Sequence, residues 1–63
     1  MNKLLVEYRA DKSQFEMAQK YGVTQQTWSN WERGVSVPSI ITMKVISEDA
    51  GYSIEELFLP VKD

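Results

Sequence analysis

Between Gln25 and Arg33 the chain places amide, hydroxyl and guanidinium side chains at a helical spacing. With Gln25 at the origin and about 100° added per residue, Gln25, Ser29, Arg33, Gln26 and Asn30 fall within an arc of about 140°. Thr27, Trp31 and Trp28 fall on the other side, between about 200° and 300°. Charged groups alone keep a helix face soluble. Glutamine and asparagine instead offer a paired donor and acceptor, which is the chemistry needed to match base edges in a DNA major groove. The bland alternative is an ordinary polar surface. Catalytic chemistry has little to work with here. The chain has no histidine and no cysteine, and no pair of carboxylates is framed by a glycine loop or metal-ligand spacing. We therefore expect no enzyme, no metal and no cofactor.

The amide arc needs elements to hold it, and the stretch from Ser13 to Gly34 supplies them. Ser13 can cap a helix, and Glu16, three residues on, completes a capping box. That helix is predicted over Gln14 to Tyr21, with Met17, Ala18 and Tyr21 as its apolar stripe. Gly22 can take a positive φ at a corner, and apolar Val23 would pin the corner to a core. Thr24 can cap the next helix, Gln25 to Arg33, and Gly34 stands where a C′ residue ends it. Two short helices around a tight glycine turn make a helix-turn-helix.

The order Gln14, Ala18, Gly22, Val23, Ser29 and Glu32 resembles the helix-turn-helix of the Cro and phage-repressor (XRE) family. The trailing Trp-Glu-Arg-Gly, the Pro38-Ser39 pair and the closing Gly-Tyr-Ser-Ile-Glu-Glu-Leu-Phe resemble it too, so the likeness covers nearly the whole chain. It implies an all-α, five-helix, lambda-repressor-like domain over residues 1–63, with the third helix in the major groove. It also implies a transcriptional repressor that binds double-stranded DNA as a two-fold dimer, on a near-palindromic operator. Thr24-Gln25-Gln26 is similar to the readers of some lambdoid phage repressors, so Gln25 and Gln26 are the first base readers. Thr27 can touch a thymine methyl, and Asn30 is a further base candidate. Gln14, at the start of the second helix, lies where backbone N–H groups favour a phosphate, and Ser29, Arg33 and Ser36 can fix flanking phosphates. Glu32 is expected to accept a hydrogen bond within the motif.

A 63-residue chain without disulfide or zinc ligands builds a thin core. Its net charge of −2 is unevenly spread. Residues 1–44 carry Lys3, Arg9, Lys12, Lys20, Arg33 and Lys44 against Glu7, Asp11, Glu16 and Glu32, a net of +2. Residues 45–63 carry Lys62 against Glu48, Asp49, Glu55, Glu56 and Asp63, a net of −4. A mildly basic front can still meet DNA. The apolar run at the N-terminus is too short for a signal peptide and no stretch approaches a membrane span, so a cytoplasmic protein without membrane or small-molecule ligand is expected.

The remaining helices frame the motif. Residues 2–10 are predicted as the first helix, with Leu4, Leu5 and Tyr8 inward. Phe15 lies off its helix's stripe, either a lid over the short first linker or an exposed contact, with the lid preferred. Trp28 and Trp31 are expected in the core, Trp31 half-buried. Pro38 and Ser39 open a fourth helix with a stripe of Ile40, Met43, Ile46, Ser47 and Ala50. Ser53 and Glu56 form a second capping box for a last helix. Leu57, Phe58, Leu59 and Val61 crowd too many apolar side chains around so short a helix, so residues 54–63 are expected to form the dimer interface. The competing arrangement folds this tail over Leu4 and Tyr8 in a monomer. A different class also fits the acidic balance: a protein-interaction module, such as an antitoxin or regulatory subunit, that keeps the fold without binding DNA.

Overall fold

The computed structural model describes residues 1–59, and these form five helices: α1 (Lys3–Arg9), α2 (Gln14–Tyr21), α3 (Gln25–Arg33), α4 (Ile40–Ala50) and α5 (Ile54–Phe58). Each starts at a side chain able to accept from the first turn. Asn2, Ser13, Thr24, Ser39 and Ser53 take the backbone N–H of Leu5, Glu16, Thr27, Thr42 and Glu56. Ser13–Glu16 and Ser53–Glu56 close full capping boxes. The helices α2, α3 and α4 end on Gly22, Gly34 and Gly51 in the left-handed region. At Gly22 (φ +71°) an added Cβ would meet nothing within 4 Å, so the corner needs glycine for its backbone angle and not for space.

α1 ends differently. Ala10 adopts φ +54° and ψ −124°, a combination that an L side chain takes up only under strain. The short Ala10-Asp11-Lys12 link forces it, because the chain must reverse at once to reach the Ser13 cap.

Leu5, Met17, Ala18, Trp28, Trp31, Met43, Ile46, Leu57 and Phe58 form one buried cluster. Trp28 is its largest fully enclosed side chain. Its ring stacks on Tyr21 with centroids 5.7 Å apart and 5° between planes, and meets Trp31 at 60°. Leu4, Tyr8, Tyr21, Val23, Ala50, Tyr52 and Ile54 pack around the cluster's edge. Asn2 ties the two ends of the domain together: its backbone N–H donates to the Glu32 carbonyl and its Nδ2 to the Leu57 carbonyl, both at 2.7 Å. A second clasp runs Tyr8–Tyr21–Asp49, with the two hydroxyls 2.7 Å apart and the Tyr21 hydroxyl donating to Asp49 Oδ2 at 2.9 Å.

Three expectations are corrected. Trp31 is not half-buried but enclosed, at 6% exposure, because Leu57 and Phe58 join the same cluster. Phe15 is no lid: it is 53% exposed, off the Met17–Ala18 side of its helix. Ile40, at 60% exposure, leaves the α4 stripe, which centres on Met43 and Ile46. As the first residue of α4 it lies before the turn that meets the core.

Candidate nucleic-acid interface

The inner side of α3 is fixed by one buried carboxylate. Glu32 is 3% exposed and receives four donors from three helices. Its Oε2 accepts from Arg9 Nε and from Trp28 Nε1, each at 2.6 Å. Its Oε1 accepts from Gln14 Nε2 at 2.8 Å and Arg9 Nη2 at 3.3 Å. Burial pushes the Glu32 carboxyl up, but the hydrogen bonds from Arg9, Gln14 and Trp28 together with the Arg9 charge outweigh it and hold the group below its ordinary value. Among the described residues no buried side-chain N or O lacks a partner. With every oxygen doubly engaged, α1, α2 and α3 are locked in register, and the rotation of α3 about its axis is set.

That rotation turns the amide arc outward. Gln25, Gln26 and Arg33 are exposed, and Thr27, Ser29 and Asn30 are half-buried. The outer face carries its own bonds. Gln26 Nε2 donates to Asn30 Oδ1 at 3.0 Å, and Arg33 Nη2 donates to the same oxygen at 2.6 Å. The Thr24 hydroxyl donates to Thr27 Oγ1 at 2.9 Å. At the helix end the Asn30 carbonyl accepts from Val35 N–H at 2.9 Å and from Ser36 N–H at 3.4 Å, which draws Ser36 alongside the end of α3.

The helix-turn-helix family model matches residues 3–57. The chain belongs to the Cro and phage-repressor helix-turn-helix family. Comparison with curated proteins and with solved structures finds no match. Proteins of this family are DNA-binding regulators and not enzymes, and α2 and α3 are the two helices of the motif. Among the described residues no helix is long and apolar enough to cross a membrane.

In this helix-turn-helix protein Gln25, Gln26, Ser29, Asn30 and Arg33 share the solvent side of α3, with Ser36 beside its end; Thr27 lies toward the aromatic side, half-buried and accepting from the Thr24 hydroxyl. Gln14 stands apart from them. Its amide points inward to Glu32, and the first turn of α2 is already engaged by Ser13 and Glu16. The tail requires a correction. Leu57 and Phe58, at 4% and 6% exposure, belong to the protomer's own core and offer no interface surface. Leu59 is exposed at 51%, and Val61 lies outside the described residues. Wheel geometry overstated the surplus, because α5 lies across the tryptophan cluster and buries two adjacent positions at once. Sequence reasoning expected Glu32 to accept a hydrogen bond but missed Arg9, Gln14 and Trp28 as its donors. The signal available for Arg9 was charge: a carboxylate on an aromatic helix face needs a cation nearby.

Proposed function

We propose that the protein is a sequence-specific double-stranded DNA-binding repressor that lays α3 in the major groove. The observation that supports this is the division of α3: one side held by the Glu32 network, the other presenting Gln25, Gln26 and Asn30 to solvent. Gln25 and Gln26 read bases, glutamine matching adenine N6 and N7. Thr27 meets a thymine methyl. Ser29, Arg33 and Ser36 bind phosphates flanking the site. A two-fold dimer places two copies of α3 one DNA turn apart, roughly 34 Å, on a near-palindromic operator. Its contact runs through the C-terminal segment, where Leu59 is the exposed apolar side chain among the described residues.

The experiment is Gln26→Ala, measured on a selected operator and on random DNA. A bidentate pair gives ~1–3 kcal/mol of discrimination, so affinity for the operator falls by that amount while affinity for random DNA hardly moves. Equal losses on both would remove Gln26 as a reader.

A second reading, an interaction module without DNA activity, draws on Val35, Val37, Ile40, Ile41 and Val45, which are all exposed. Ile41 and Val45 stand four apart and share one side of α4. Titration with mixed-sequence DNA at low salt separates the two readings, since a protein that has lost DNA activity leaves the DNA signal unchanged.

A further inference from the structure

The polarity of the Asn30 amide follows from its neighbours. A guanidinium only donates, so the Asn30 atom 2.6 Å from Arg33 Nη2 has to be the carbonyl oxygen. The Gln26 atom 3.0 Å from that same oxygen has to be the amide nitrogen. Both lone pairs of Asn30 Oδ1 are thereby used within the helix. What Asn30 keeps for an outside partner is Nδ2 with its two N–H groups. Gln26 keeps Oε1 and one N–H, the complete pair that adenine requires.

From this we infer that Asn30 is a specificity-determining residue that acts as a donor only and selects a keto base, guanine or thymine, while Gln26 selects adenine. The inference rests on the proposed DNA reading of α3. Guanine offers O6 and N7 and can take both N–H groups; thymine offers O4. Cytosine presents only its N4 amino donor in the major groove, so it is the base Asn30 serves worst. Adenine pairs well with an amide only when the amide oxygen is free, and here it is held by Gln26 and Arg33. The row Gln26–Asn30–Arg33 also orders three long or polar side chains before DNA arrives, which lowers the ordering cost of binding. Arg33 accordingly has a second task beside phosphate contact: it fixes which end of Asn30 faces the groove.

The test is selection of bound sites from random duplex DNA with the wild type, Asn30→Ala and Asn30→Asp. The column that loses its preference in Asn30→Ala is the one Asn30 reads. In the wild type that column holds G or T over C by roughly fivefold or more. In Asn30→Asp one carboxylate oxygen still accepts from Gln26 and Arg33, and the other offers an acceptor to the base. The same column then inverts to C or A, the bases with an exposed amino group. Circular dichroism checks that each variant folds; if Asn30→Asp does not, the wild-type and Asn30→Ala columns still decide. Wild-type preference for A or C in that column, or no column altered in Asn30→Ala, overturns the inference while leaving DNA binding intact. A wild type that enriches no sequence at all overturns instead the DNA reading beneath it.

Discussion

Replacing Glu32 by glutamine keeps the shape of the side chain and removes its charge and one acceptor oxygen. Four donors now converge on two oxygens: Arg9 Nε and Nη2, Gln14 Nε2 and Trp28 Nε1. An amide has one oxygen with two lone pairs, and its NH₂ faces the two remaining donors. Whichever way it turns, either the Arg9 and Trp28 pair or the Gln14 and Arg9 pair meets N–H groups head-on. Breaking one partner of a buried ion pair costs about 3–5 kcal/mol. The side chains are 24% exposed for Arg9 and 4% for Glu32, so water reaches the cation and not the carboxylate. The low end of that range, about 3 kcal/mol, is the expected loss.

For a domain of this size each kcal/mol moves Tm by roughly 4–8 °C, so Glu32→Gln should melt about 12–24 °C below the wild type. Urea titration followed by far-ultraviolet circular dichroism at neutral pH gives the free energy directly. A double-mutant cycle with Arg9→Met isolates the pair, since neighbours in one network are not additive. A loss below about 1 kcal/mol would refute the reasoning, for it would mean that solvent satisfies all four donors as well as Glu32 does.

Three more predictions follow from the same geometry. The Glu32 carboxyl titrates below its ordinary value of 4.5 in the fold, so the unfolded chain takes up the proton first as pH falls; stability should drop from about that pH downward, and Glu32→Gln should show a flatter acid limb in urea midpoints against pH. Ala10→Gly should raise stability by about 1 kcal/mol, because glycine takes φ +54° without strain; a lower urea midpoint would show that Ala10 is not strained. Arg33→Ala should weaken binding to all sequences and shrink the slope of log K against log salt by ~0.9 per site, and an unchanged slope would take Arg33 off the phosphates.

How much of this was legible in the sequence varied with the range of the interaction. Caps are local: Ser13, Thr24, Ser39, Ser53 and the three glycines act on residues within four positions, and the helix bounds follow from them. The outward amides were legible for the same reason, since the wheel fixes Gln26 and Asn30 once Trp28 and Trp31 are inward. What joins distant positions was not. Charge made Arg9 one of several possible partners, but nothing local to it singles out Glu32, 23 residues on. Phe15 and Ile40 are as apolar as Met17 and Met43, yet they stand 53% and 60% exposed, because tertiary packing and not side-chain type decides which part of a helix meets the core. Leu57 and Phe58 show the reverse error, with two side chains assigned to a partner when their own tryptophans took them.

The charge of the chain becomes intelligible once its carboxylates are located. Between Gln14 and Arg33 there are two, Glu16 and Glu32. Glu16 accepts the Ser13 N–H at the head of α2, and Glu32 is consumed by Arg9, Gln14 and Trp28. Neither stands on the solvent side of α3, where Arg33 is the single charged side chain. An acidic total therefore says little about the surface that would meet DNA, because the acid is spent on caps, on one buried pair and on the far helices. The cations that remain are few. Phosphate attraction, which supplies nearly all non-specific affinity, is correspondingly small. On the reading proposed for α3, base edges carry the larger share of affinity, and the row of amides joined to one another through Asn30 is the group placed to meet them.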